Sequence, residues 1–237
     1  MPDHTIFNER PESQDRALKV IERLGYTVVP RSEAERKRGS RKAVLFTEEL
    51  QAFLSGQTYQ FGSETRYFSG GAIARAMQAV DQHSAAGLYA ANKEIYELIC
   101  SGKSMEEELP DGTRQSFDIR YIDFEHPENN TFQVTDEFEV ERPNGKFARP
   151  DIVVLVNGIP LVVIECKKSS VDVMEGVNQN IRNWGEEYIP HLFRYSQLVI
   201  AVNPDKVLYG TCGTPAKYFV SWHEDDKEWL NNWCRKC

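Results

Sequence analysis

The sequence lacks any apolar run approaching the length that spans a bilayer, and its first residues, Met1-Pro2-Asp3-His4, have no signal-peptide character. A cytoplasmic protein with no membrane partner is the expectation. Cysteine is sparse and odd in number at five, which without an export signal reads as free thiols rather than a disulfide framework. Cys234-Arg-Lys-Cys237 has the spacing of half a zinc site. The other candidate ligands, Cys212 and His223, complete no common zinc pattern, so two terminal thiols are expected there. Positive charge is also in deficit: 28 Lys and Arg against 36 Asp and Glu leave a net charge of −8. Affinity for duplex nucleic acid rests on neutralising phosphates, so this balance argues against strong free-standing binding to it. What remains is the composition of a soluble globular chain, and 237 residues suffice for one well-buried α/β domain with a helical insertion.

The stretch from Arg149 to Lys168 organises the rest. Two apolar, β-branched runs, Ile152 to Val156 and Ile159 to Ile164, flank Asn157-Gly158, a strong hairpin signal. Both runs are too short for stable helices and neither alternates, so the hairpin is expected to be covered on both faces. Charge enters only where the strands begin and end, at Asp151, Glu165 and Lys167. Alternation puts Glu165 and Lys167 on one face, their Cα atoms roughly 6.6 to 6.8 Å apart, and turns Cys166 to the other. A two-residue Asn-Gly loop would put Asp151 on the wrong face. Convergence of the three charges therefore requires an odd loop or a bulge.

Two carboxylates and an ammonium on one face suit a particular chemistry. Hard oxygen ligands bind Mg²⁺; the ion activates water and neutralises charge on a phosphoryl oxygen, while the ammonium steadies the transition state. The other reading is a hairpin whose ends carry solvated charges. Against it, Glu165-x-Lys167 continues a buried strand, where unpaired charge is costly.

Elsewhere, residues 12 to 24 read as an amphipathic helix ended by Gly25. Arg31 to Lys42 is the one locally basic stretch, either a solvated face or a phosphate contact. Periodicity is helical from Thr47 to Ser101, with candidate helices over 47–54, 72–82 and 87–99, so an insertion packed on one side of a sheet is expected. Gly102-Lys103-Ser104 imitates the end of a phosphate-binding loop, but the glycine required five residues earlier is Glu97 and a helix precedes it, so ATP binding is rejected and a turn expected. Residues 115–122 and 131–141 alternate as strands. A helix over 173–184 and a hairpin of 198–203 with 206–209 follow. Asp118, Asp123 and Asp136 lie near these strands as polar positions easily mistaken for metal ligands.

Pro150-Asp151, thirteen intervening residues and then Glu165-x-Lys167 is similar to the PD-(D/E)xK nuclease signature. The fuller wording, from Asp151-Ile-Val-Val-Leu-Val-Asn-Gly to Val163-Ile-Glu-Cys-Lys-Lys168 and upstream Ile122-Asp-Phe-Glu-His-Pro-Glu-Asn-Asn130, resembles the N-terminal nuclease domain of the restriction (R) subunit of type I restriction–modification enzymes. The resemblance runs from about Gln14 to about His223. It implies a single α/β nuclease domain over 1–237, with an αβββαβ core around a mixed sheet and the helical insertion at about 47–101. It implies a Mg²⁺-dependent DNA endonuclease, a type I site-specific deoxyribonuclease, in which Asp151, Glu165 and the carbonyl of Cys166 hold the metal and Lys167 acts beside the phosphate. Asp15 would supply the acid that such enzymes carry near the start of the first helix. Gln179 would open the family's Gln-x-x-x-Tyr pattern, although here the tyrosine position is Asn183, followed by Trp184 as a stacking or core residue. Double-stranded DNA and the methylase and specificity subunits are the implied partners. ATP would enter only through a translocase, which in the family begins about where this sequence stops. The alternatives are a non-catalytic docking module of a restriction complex and a stand-alone DNA nuclease.

Overall fold

The computed structural model describes residues 12–82 and 87–222; Cys234, Cys237 and His223, the terminal zinc candidates, lie outside them. The described chain opens with α1 (Glu12–Arg23), β1 (Thr27–Val28), α2 (Arg31–Arg38) and α3 (Thr47–Ser55). A hairpin of β2 (Thr58–Phe61) and β3 (Glu64–Tyr67) follows, then α4 (Gly70–Asp81), α5 (Leu88–Ser101), β4 (Lys103–Glu108) and β5 (Arg114–Ile119). Next come β6 (Phe132–Asp136), β7 (Val140–Glu141), β8 (Phe147–Ala148), β9 (Ile152–Val156) and β10 (Ile159–Cys166). The last elements are α6 (Val173–Asn183), α7 (Pro190–Phe193), β11 (Leu198–Val202), β12 (Val207–Gly210) and β13 (Val220–Ser221).

Seven strands form one mixed sheet in the order β1-β6-β9-β10-β11-β12-β13. The hairpin β9–β10 is at its centre, antiparallel within itself and to β6, while β10 and β11 run parallel and are joined through α6. The expected helix, three strands, helix and strand are present as α1, β6, β9, β10, α6 and β11. Central placement explains why β9 is apolar throughout. Val153, Leu155 and Val163 face one buried cluster, shared with Leu50, Leu54, Ala76 and Ile95 of the helices between Thr47 and Ser101. Ile152, Val154, Ile164 and Cys166 face the other, covered by Ala17, Leu18 and Ile21 of α1. Each fully buried aliphatic side chain contributes roughly 1.5 to 3 kcal/mol, so both faces hold the hairpin firmly. None of the described helices is long and apolar enough to cross a membrane.

Three expectations need correction. The segment from Thr47 to Ser101 is not wholly helical: Thr58-Tyr-Gln-Phe61 and Glu64-Thr-Arg-Tyr67 pair around Gly62, whose φ is +60°. Tyr59 stacks on Phe117 of β5 at 4.0 Å, which fixes that hairpin to the β4–β5 ribbon. That ribbon stands apart from the central sheet, so the strand expected over 115–122 is no member of the core. The strand expected over 131–141 breaks at Glu137, whose φ of +47° interrupts the extended backbone between β6 and β7. Gly102 does turn the chain, capping α5 with φ +72°, but Lys103 and Ser104 already belong to β4.

Candidate active site

The hairpin's register decides which side chains can meet. Val156 pairs with Ile159 across a two-residue loop in which Asn157 (φ +50°) and Gly158 (φ +79°) take the primed-turn conformation that Asn-Gly favours. Pro160, which has no N–H for the ladder, pairs with Leu155, and Val162 then pairs with Val154. Leu161 is the extra residue of a β-bulge. Beyond it Ile164 pairs with Ile152, so the register sets Glu165 opposite Asp151. The bulge supplies the one-residue correction that the sequence required.

The three charges converge. An Oδ2 of Asp151 accepts a hydrogen bond from the Cys166 amide at 2.7 Å. Glu165 is fully buried; its Oε1 accepts a long bond from Asn183 Nδ2 at 3.4 Å, and its Oε2 has no hydrogen-bond partner. The Lys167 ammonium lies 3.8 Å from that oxygen and donates to Gln179 Oε1 at 2.6 Å. Burial above all, then the negative charge of Asp151, holds the Glu165 carboxyl well above the usual carboxylate range, with Lys167 pulling the other way. Burial likewise raises the Cys166 thiol, which faces α1 and is no ligand here.

This donor set suits a hard divalent cation. Mg²⁺ takes one or two carboxylates and keeps several waters, and a buried carboxylate oxygen without a partner is the kind of group a cation satisfies. A strand residue turns its N–H and C=O to the same edge, so the Cys166 carbonyl looks the same way as the amide that reaches Asp151. Among the described residues no three His, Cys, Asp or Glu side chains form a metal-binding group. A cation at Asp151 and Glu165 would therefore be completed by main-chain and water oxygens.

Helices fix the site from both sides. Gly176 of α6 lets that helix lie close against the sheet: a Cβ there would meet Ala201 Cβ at 3.0 Å and the side chains of Lys167 and Glu165 at 3.5 and 3.6 Å. One turn apart on α6, Gln179 and Asn183 then reach Lys167 and Glu165. Asn183 thus fills the expected tyrosine position as an amide donor to Glu165, and Trp184 is a core residue packed edge-to-face on Phe193. From the other side, α1 brings Ser13 Oγ to the Lys167 carbonyl (2.8 Å) and Gln14 Nε2 to the Asp151 carbonyl (3.2 Å). Asp15, the acid expected to serve here, is exposed, whereas Ser13 and Gln14 are buried. One residue is 100° of helix, enough to carry a side chain off the face that meets the sheet.

Asp123 is structural. It accepts from the amides of Glu125 and His126 and from Asn129 Nδ2, the bond that contributes most to holding its carboxyl low. Asn130 and the Tyr121 carbonyl in turn receive Asn157 Nδ2, so the Ile122–Asn130 segment seats the hairpin turn. Asp118 is exposed on the β4–β5 ribbon and Asp136 is half-buried at the end of β6. In the basic stretch, Arg31 and Arg41 pair with Glu35 and Glu139, Lys37 with Glu49, and Lys42 with Glu141, while buried Arg38 donates to main-chain carbonyls. Most of its charge is already neutralised within the fold.

Residues 6–218 match the family described as the type I restriction enzyme R protein N terminus. The chain is 27% identical over 231 residues to the endonuclease subunit of type I restriction enzyme HindI from Haemophilus influenzae, covering 94% of this chain and 21% of that protein. It is 39% identical over 85 residues to the SsaAORF53P endonuclease subunit of Staphylococcus saprophyticus, covering 36% and 9%. It is 32% identical over 120 residues to the SauCOLORF180P endonuclease subunit of Staphylococcus aureus, covering 49% and 12%. The chain thus spans about a fifth or less of the length of these curated relatives.

Proposed function

The chain belongs to the family of type I restriction enzyme R protein N termini, and from that premise we propose that it is a Mg²⁺-dependent DNA endonuclease module with a PD-(D/E)xK core. The observation that carries the proposal is the buried acid pair: Glu165, fully buried and with no N–H donor on its Oε2, lies beside Asp151 and 3.8 Å from the Lys167 ammonium. Left so, it is destabilising; with a cation between the two acids, it is a ligand.

In this reading Asp151, Glu165 and the Cys166 carbonyl hold the ion. When bound, Mg²⁺ supplies Lewis-acid polarisation of a phosphoryl oxygen and a water of lowered pKa. A metal would compete with the proton for the Glu165 carboxyl. Lys167, fixed by Gln179, presents its ammonium where negative charge grows on the attacked phosphate. One such preorganised donor is worth roughly 10² to 10³ in rate. Asn183 orients Glu165. Ser13 and Gln14 anchor the two strand ends, and Gln14 rather than exposed Asp15 is the residue through which α1 serves the site. The whole chain acts as one nuclease domain in the cytoplasm. Duplex DNA is brought to it by an ATP-driven translocase together with methylase and specificity subunits, because a net charge of −8 gives it little hold on DNA alone.

Calorimetric titration of the chain with Mg²⁺ or Mn²⁺ tests the reading. One bound ion is expected, lost in Asp151→Asn and Glu165→Gln. A folded wild-type chain that binds neither ion overturns it and leaves a docking module.

A further inference from the structure

Arg142 and Arg182 come from different parts of the chain, the turn after β7 and the last turn of α6, and meet over one ring. Their guanidinium carbons lie 3.9 and 5.5 Å from the centroid of Tyr188. Arg142 is steered there by a hydrogen bond from its Nε to the Glu187 carbonyl at 3.1 Å. Neither arginine forms a salt bridge to a carboxylate among the described residues, in contrast with the arginines around α2. Lys146, exposed across the same turn, accepts the Arg142 amide at its carbonyl (2.7 Å) and forms no ion pair among the described residues. At the other end, Arg182 lines one surface depression with Lys167 and Gln179. Lys167, Arg182, Arg142 and Lys146 therefore mark out a cationic path, bordered by acids, that starts at the candidate catalytic lysine.

Two guanidinium groups gathered over one ring repel one another, and the Tyr188 ring offsets only part of that. An anion along the path removes the repulsion, and planar guanidinium forks match phosphate oxygens in particular. We propose that this path seats the DNA backbone to one side of the cleaved phosphate, with Arg182 and Arg142 on successive phosphates and Lys146 beyond them. The identity of the ligand rests on the nuclease reading. Glu175 shares the depression with Lys167, and Glu186 and Glu187 are exposed just before Tyr188, so the track is interrupted by acids and its hold is weak and salt-sensitive.

The test is binding of a short fluorescent duplex to the chain in EDTA across a salt series, where the metal proposal has no bearing. Each phosphate contact contributes about 0.9 to the slope of log affinity against log salt. The Arg142→Gln/Arg182→Gln double variant is expected to lower the slope by about 2, and Lys146→Gln, which removes an exposed side chain, by about 1. Arg36→Gln, on the exposed face of α2 and paired with Glu33 at 3.8 Å, is expected to change nothing. A wild-type chain that fails to bind even at low salt, or variants that keep its slope, overturn the proposal; in the second case an acidic protein segment becomes the better occupant. Loss of Mg²⁺ binding with an intact slope difference overturns the nuclease reading and spares the path.

Discussion

The two ends of the β9–β10 hairpin both bury polar side chains, and they treat them differently. At the turn, Asn157 is completely buried and its amide is used in full: it donates to the Tyr121 carbonyl and to Asn130, and accepts from the Thr131 amide. At the open end Glu165 is as deeply buried, yet one oxygen is left without a hydrogen bond and the other has a long one. Burial depth does not separate these two polar groups; the completeness of their hydrogen bonding does. The turn spends its polar atoms on the fold, and the strand ends keep theirs for something that arrives later.

The comparison breaks first at Gly158. A Cβ there would lie 2.3 Å from the Phe46 carbonyl oxygen, in a backbone conformation of φ +79°. Gly158→Ala is expected to remove on the order of 4 kcal/mol or more, read as unfolding of most of the chain by circular dichroism. Retention of the wild-type midpoint would mean that the turn end is not rigid. At the other end, Lys167→Ala is expected to slow cleavage in the assembled enzyme by roughly 10² to 10³ with the fold and Mg²⁺ affinity intact, since an ammonium offers no lone pair to a metal. A parallel loss of thermal stability would assign the lysine to the fold instead.

Glu165→Gln sharpens the contrast through pH. The folded-state pKa of Glu165 is raised, so the folded chain holds that proton more tightly than the unfolded one. The stability this contributes is present below the unfolded value, near 4.5, and is lost as pH rises through the raised folded value. The glutamine, with no proton to lose, is expected to unfold at a temperature above wild type by roughly 2 to 4 °C per kcal/mol, with the gap widening from acidic to neutral pH in metal-free buffer. A gap independent of pH would break the assignment. The smallest effect is expected from Lys168→Ala. Lys168 is exposed beyond the strand end, and cleavage within about twofold of wild type would match a surface substitution of ±0.5 kcal/mol.

The hairpin, its central place and the meeting of Asp151, Glu165 and Lys167 could all be read from the chain, because strand alternation and loop parity are short-range rules. Their supports could not. Gln14 and Asp15 are adjacent and both polar; only the docking of α1 on Ile152, Val154 and Ile164 decides which turns inward. Asn183 looked like a defect in a pattern until α6, drawn close by Gly176, placed its amide on Glu165. The β2–β3 hairpin was hidden by the helices on either side, and the β4–β5 ribbon reads as core strand because separate sheets leave the same period-two pattern. Charge misled in the same way. The crowded cations of Arg31 to Lys42 are paired off, while Arg142 and Arg182, forty residues apart, meet over one ring.

The bulge at Leu161 also gives the hairpin slack in length. With a two-residue turn, β9 and β10 carry unequal numbers of residues between the turn and the paired acids, and Leu161 is the surplus one. A single deletion in the Ile159–Ile164 segment can be absorbed by flattening the bulge, leaving Asp151 opposite Glu165. The same deletion within Ile152–Val156 has no surplus to draw on and would set Asp151 against an apolar neighbour on the wrong face. Chains that keep the two-residue turn should therefore tolerate thirteen residues between the acids or one fewer, with the missing residue always on the second strand.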